Sequence, residues 1–306
     1  MIAHLPILQV IIPLMAAPIC LMLKRTQLVW FFSIIASGLA FAVSILLLQQ
    51  VMASGVISYE LGGWQAPWGI EYRIDKLNAF LLLIISGIST VVLFAAQTSL
   101  EKEIPKDKHI YFYVLYLLSL TGMLGIVATG DAFNVFVFLE ISSLSAYALI
   151  GMGNKRQALW ASYQYLIMGT IGATFILIGI GLMYQMTGTL NMHDLSQRLP
   201  EVEQSRTVLA AFAFVIVGVC LKLAMFPLHL WLPNAYAYAP SIVTAFFAAT
   251  ATKVAVYLLI RFTFSVFGFS FSFTHIPLQT IFMALGLIGI FVASTSAIYQ
   301  SNVKQL

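Results

Sequence analysis

An all-α integral membrane protein of about nine transmembrane helices, one of them broken at Pro227, is the fold class that this sequence predicts, and three observations carry it. Hydrophobic residues make up 61% of the 306 and charged residues 8%, against roughly 25% charged residues in a soluble domain. Apolar stretches long enough to cross ~30 Å of hydrocarbon recur along the whole chain. Lysine and arginine gather in alternate connections: Lys24 and Arg25, then Lys102, Lys106 and Lys108, then Lys155 and Arg156, and last Lys304. The positive-inside rule puts these connections in the cytoplasm and the amino terminus outside, as expected of a multi-pass protein of the cell membrane. A net charge of +4 spread over such loops offers no basic face to nucleic acid; the lipid bilayer is the surface this chain meets.

Taken in order, the spans are 2–23, 28–48, 77–96, 111–129, 132–152, 163–186, 208–223 with a broken continuation to 232, 242–266 and 277–298. No basic residue precedes the first span and no small-residue cleavage site follows it, so it is expected to stay as an anchor. Between Val51 and Lys76, Gly55, Gly62, Gly63, Trp64, Pro67 and Trp68 surround short alternating runs such as 56–61. These predict a small external strand or hairpin with interfacial aromatics, serving as a lid over the helices or as a partner surface. The second external connection is polar and mixed in sign, holding Asp194, Arg198, Glu201, Glu203 and Arg206. Gly179, Gly181 and Gly218 read as helix-packing glycines. Cys20 and Cys220 lie in different spans without a CxxC and read as small buried hydrophobes. The chain shows no HExxH, P-loop, GxSxG or CxxCH, and its twelve methionines are scattered, so no metal site and no redox cofactor are implied and no reaction centre is assigned.

Three charges fall well inside spans. Glu140 lies nine residues after Asp131, about 13 Å along its helix, and Lys253 lies twelve after Ser241, about 18 Å along from the other side. Lys222 lies roughly 20 Å along the helix from Thr207, beyond easy reach of the surface. A charge near the bilayer centre costs ~2.5–3.5 kcal/mol on insertion scales. Pro227, five residues on, adds a second cost, because it removes a helix donor and frees carbonyls that need protein or water around them. One acid, two lysines and a broken helix suit a proton relay, since loading one group changes the energy of its neighbour. A buried pair that only staples helices together would present the same residues. His229, seven residues after Lys222, would share its face if register survived the break, and would then carry protons between the lysines or cap freed carbonyls. Thr244, Thr250, Thr252, Tyr236 and Tyr238 could extend a hydrated chain or simply pack.

Three stretches then carry a resemblance: LKLAMFPLHLWLPNA at 221–235, GDAF at 130–133 leading to FLE at 138–140, and ATATKVAVY at 249–257. In order and spacing they resemble the antiporter-like membrane subunits shared by Mrp-type multisubunit cation/proton antiporters, proton-pumping NADH:quinone oxidoreductase and membrane-bound hydrogenases. The resemblance runs from about Leu77 onward, and the wording of the first and last motifs looks most like the D-type subunit of the Mrp antiporter. It implies that Glu140 is the acid of the fifth helix, Lys222 the lysine of the broken seventh helix, and Lys253 the lysine of the eighth that passes protons towards the central axis. His229 matches the histidine of the broken helix. It further implies two spans and an external loop at 1–76, a translocating unit with the first five-helix repeat at 77–266, and at 267–306 the start of a second, inverted repeat that is cut short.

The function expected on these grounds is that of a proton-conducting subunit, with other membrane subunits as partners and protons exchanged for Na+ or K+. A subunit of NADH:quinone oxidoreductase or of a membrane hydrogenase is the alternative within the same class. A structural or assembly subunit without transport is the alternative outside it, and such a subunit has no need to hold Glu140, Lys222 and Lys253 together.

Overall fold

The computed structural model describes residues 4–300 and Lys304, and nine helices among these residues are long and apolar enough to cross a membrane. Helices α1 (Leu5–Met22) and α2 (Thr26–Ser54) are followed by a hairpin of β1 (Ile57–Glu60) and β2 (Glu71–Ile74). Then come α3 (Lys76–Glu103), α4 (His109–Ala128), α5 (Ala132–Gly151), α6 (Arg156–Thr187), the short α7 (Met192–Arg198), α8 (Arg206–Leu223), the short α9 (Trp231–Tyr238), α10 (Ser241–Ile260) and α11 (Leu278–Ile298). Every span expected from hydropathy has its helix. Four features go beyond that expectation: α7, the 3-10 turn Leu199–Val202 after it, and two π-helical turns, Arg261–Val266 and Ser270–His275, between α10 and α11.

Small residues bring the helices together. Helix α6 lies close on α8, where a Cβ on Gly218 would lie 2.6 Å from the Gly172 carbonyl oxygen and one on Gly179 would lie 2.5 Å from Val215 Cγ2. Backbones can meet this closely only where side chains are absent. Gly181 departs from its expected role, because a Cβ there would meet nothing within 4 Å. Between α4 and α5 the same device recurs, with Gly122 against the Ser142 backbone and Gly125 against the Phe138 ring. Helices α2 and α3 are joined by buried hydroxyls instead: Ser37 bonds Ser89 and Thr90 at 3.2 and 2.9 Å, and Ser44 lies 2.9 Å from Ser86. Cys20 and Cys220 are free and buried, as expected of small apolar fillers. Helix α11 is different, with only Leu278 buried along its length.

The hairpin is stitched onto the helix ends as a lid. Tyr59 faces Tyr72 in its antiparallel register, and Tyr72 in turn bridges to Thr129. The Gly130 N–H donates to the Glu71 carbonyl at 2.8 Å, and the Glu71 carboxylate accepts from Asn191 and Ser58, each at 2.7 Å. Asp75 begins α3 by accepting from the N–H groups of Leu77 and Asn78, and pairs with Arg261 at 2.8 Å. Burial pushes the Asp75 carboxyl up, but Arg261 and those two N–H groups outweigh it and hold it below its ordinary value. Its stabilising contribution is therefore complete above the unfolded-state value near pH 4 and is lost as pH falls through the lower folded value. Asp75→Asn is expected to lower the melting temperature of the purified protein by about 3 °C at pH 7 and to flatten its decline below about pH 4. An acid profile identical to that of the wild type would remove Asp75 from the account.

Candidate proton site at the broken helix

Helix α8 stops where the sequence predicts a break. Ala224 takes a left-handed conformation (φ 57, ψ 40), residues 226–230 form turns around the Phe226–Pro227 bond, and α9 resumes at Trp231. Two of the carbonyls released at the end of α8 find partners: Cys220 O accepts from Met225 N at 3.0 Å, and Leu221 O from Ala224 N and the Trp231 indole, each at 3.2 Å. Trp231 is fixed in turn by stacking on Tyr165, with ring centroids 4.2 Å apart and planes 2° apart. The break is thus a built structure in which these two carbonyls are satisfied.

Lys222 lies in the last turn before it. The close approach of α8 to α6 lets its stem run past Gly172, whose missing Cβ would lie 3.7 Å from Lys222 Cγ. Its Nζ crosses to α5 and donates to Ser143 Oγ at 2.7 Å. Ser143 lies three residues after Glu140 on the same helix face. Glu140 Oε1 is buried and has no hydrogen-bond partner among the described residues. Glu140 and Lys222 form no direct ion pair, yet they are close enough for their charges to interact. Beside Lys222 is a cavity of about 50 Å³, lined by Ser142, Ser143, Tyr165, Tyr236 and Thr252 among apolar neighbours. That is room for a small number of waters with polar groups to hold them. A lysine held through one hydroxyl, a carboxyl with a spare oxygen and space for water are the parts a proton needs to move between them.

The other expected residues are placed differently. Lys253 is at the right depth in α10 but exposed on the outside of the bundle, where its Nζ donates to the Ala248 carbonyl of its own helix at 2.6 Å. It does not meet Lys222 or Glu140 within this chain, which corrects the expectation of a buried trio. His229 falls in the turn, because helical register ends at Ala224, so it does not share a face with Lys222. Its Nδ1 is buried without a partner among the described residues, its ring lies 5.5 Å from that of Phe226, and the carbonyl-capping role expected of it belongs to Trp231. Thr244 and Thr250 bond backbone carbonyls and act as packing groups, leaving Thr252 and Tyr236 at the cavity. Sequence reasoning misses Ser143, although its i+3 spacing from Glu140 is a usable signal.

A bundle of membrane-crossing helices, one broken beside a lysine that reaches across to a neighbouring acidic helix, defines the antiporter-like class of membrane subunits. Residues 129–306 match the family described as NADH:quinone oxidoreductase/Mrp antiporter, TM, and the chain belongs to it. Among relatives, the N subunit of an NADH-quinone oxidoreductase from Desulforudis audaxviator is 44% identical over 269 residues, covering 87% of this chain and 53% of that protein. The D subunit of a Na(+)/H(+) antiporter from Bacillus subtilis is 34% identical over 290 residues, covering 92% and 58%. Among solved structures, a chain of the membrane-bound sulfane sulfur reductase, an archaeal respiratory membrane complex, superposes with a TM-score of 0.89 at 31% identity, covering 99% of this chain and 61% of that one. The chain spans a little over half the length of the curated relatives it matches.

Proposed function

We propose that this chain provides a proton half-channel within a multisubunit membrane complex of the Mrp antiporter type, which exchanges Na+ or K+ for protons. The observation that carries this reading is Lys222 hydrogen-bonded to Ser143, one turn from Glu140, whose Oε1 has no hydrogen-bond partner among the described residues, and beside a cavity with room for water. A purely structural helix pair would gain nothing from a carboxyl oxygen left unsatisfied, since buried polar groups are costly unless bonded. The likeness to the D subunit of a Na(+)/H(+) antiporter supports the antiporter reading. Other membrane subunits are its partners, and the exposed position of Lys253 supports one in particular. A lysine at membrane depth is tolerated where it faces protein or water rather than lipid, so a further set of helices covers this side of α10. Residues 77–266 would be the translocating unit, 1–76 its outer flank and lid, and 267–306 the opening of a second repeat.

The location is the cell membrane, with the amino terminus outside. A fluorescent protein fused after Gly153 then folds in the cytoplasm, while one fused after Thr189 stays dark, and the reverse pattern would invert the orientation.

A second reading, a proton-pumping subunit of NADH:quinone oxidoreductase, is favoured by the relative named as its N subunit. One experiment separates them. Inside-out vesicles carrying the native complex should lose a preformed pH gradient when Na+ or K+ is added without NADH. Proton uptake on NADH addition with no response to cations would replace the antiporter by the oxidoreductase, and no response to either would leave only a structural subunit.

A further inference from the structure

A second cavity, of about 120 Å³, opens at the hairpin end of the bundle between β2, α7 and the π turn that follows α10. It is lined by Arg73, Arg261 and His193 together with hydroxyls, among them those of Ser196 and Ser265, and no carboxylate lines it. The donors of Arg261 can be accounted for one by one. Its Nε–H goes to Tyr257 Oη at 3.2 Å, and its Nη1 reaches Asp75 at 2.8 Å and Ser265 at 3.5 Å. Its Nη2 is buried with no partner among the described residues. Tyr257 cannot help further, because its own proton is given to the Val127 carbonyl at 3.1 Å. Arg73 is held only loosely, by Glu71 at 3.5 Å. Two guanidinium groups from different elements therefore line one pocket, and both charged side chains that line it are cationic.

We propose that this cavity binds a phosphate group, the headgroup phosphate of an anionic phospholipid or free inorganic phosphate. Guanidinium forks match the oxygens of phosphate in pairs, which is why arginine dominates such sites. The polar groups that line it stand on β2, the end of α10 and α7 rather than in one plane, as a tetrahedral oxyanion requires. The position suits a headgroup: Arg261 ends a membrane-crossing helix, Arg73 lies just before the start of another, and the exposed His193 leaves the mouth open. Both arginines have carboxylate partners, Glu71 for Arg73 and Asp75 for Arg261, and a phosphate held mainly by the loosely paired Arg73 leaves the Asp75–Arg261 pair intact.

The test uses the purified full chain, titrated with phosphatidylglycerol and followed by native mass spectrometry, with inorganic phosphate titrated separately and followed by phosphorus NMR. One saturable phosphatidylglycerol, unaffected by inorganic phosphate, assigns the site to a lipid headgroup; saturable inorganic phosphate that competes with the lipid assigns it to a soluble oxyanion, and either supports the proposal. Arg73→Gln, which leaves the Asp75–Arg261 pair in place, is expected to weaken binding about 10-fold. Arg261→Gln also strips Asp75 of its partner, so the melting temperatures of both variants are compared with that of the wild type. No saturable binding of either probe, or the same affinity in a folded Arg73→Gln protein, would overturn the site and leave it to water.

Discussion

Replacing Lys222 by alanine is expected to lower cation-dependent proton exchange by about 100-fold, within the range lost when a positioned acid or base is removed. Assembly should survive, because among the described residues the Lys222 head makes one side-chain hydrogen bond, to Ser143, and it borders the cavity. Lys222→Arg is the more informative companion. Arginine keeps the positive charge and would hold a staple, but it does not release its proton in proteins. If the site loads and unloads a proton, Lys222→Arg falls as far as Lys222→Ala. Normal exchange in Lys222→Arg, measured in vesicles at matched assembly, would make the residue an electrostatic staple instead.

The second large effect is on stability. Gly218→Leu is expected to destabilise the protein by about 3 kcal/mol, the upper end for overpacking a tight site. Its first added carbon would meet Gly172 O at 2.6 Å and Ile176 Cγ1 at 2.7 Å, and two of the nearest atoms are α6 backbone that cannot step aside. Prising α6 from α8 also moves Lys222 away from Ser143, so transport and stability should fall together. Gly181→Leu is the control, since the same change there enters open space. Thermal melting of the two variants in detergent should separate them by several degrees, and equal melting would mean that the α6–α8 contact is looser than it looks.

The parts of this architecture that can be read in the sequence are those written in local patterns. Hydropathy yields the nine spans because each apolar run is bounded by charges or turn residues, and Pro227 announces the break because a missing donor inside a span has a fixed structural cost. Glu140 and Lys222 stand out by the expense of burying charge. Orientation around a helix axis is harder. Helix α10 is apolar on all sides, so no stripe indicates which face turns inward, and Lys253 can be given a depth but not a direction. His229 departs from expectation for a related reason: a seven-residue spacing implies a shared face only while the helix continues, and α8 ends at Leu223. The Asp75–Arg261 pair joins residues far apart in the sequence, and nothing local signals it. Helix α7 is hidden because a polar, mixed-charge segment reads as loop until Asn191 is seen accepting from the N–H groups of His193 and Asp194 as its cap.

The central claim is that Glu140 and Lys222 act as one proton-loading unit, and a double-mutant cycle on exchange rate tests it most directly. Glu140→Gln, Lys222→Ala and the double variant would be measured in the native complex at matched assembly, in the same vesicles and across the same pH gradient. Groups that act as a unit are strongly non-additive. The account predicts that the double variant is no slower than the slower single one, because either change alone already disables the unit. Losses that multiply, each change slowing exchange by the same factor whether or not the other is present, would show two independent groups and contradict it.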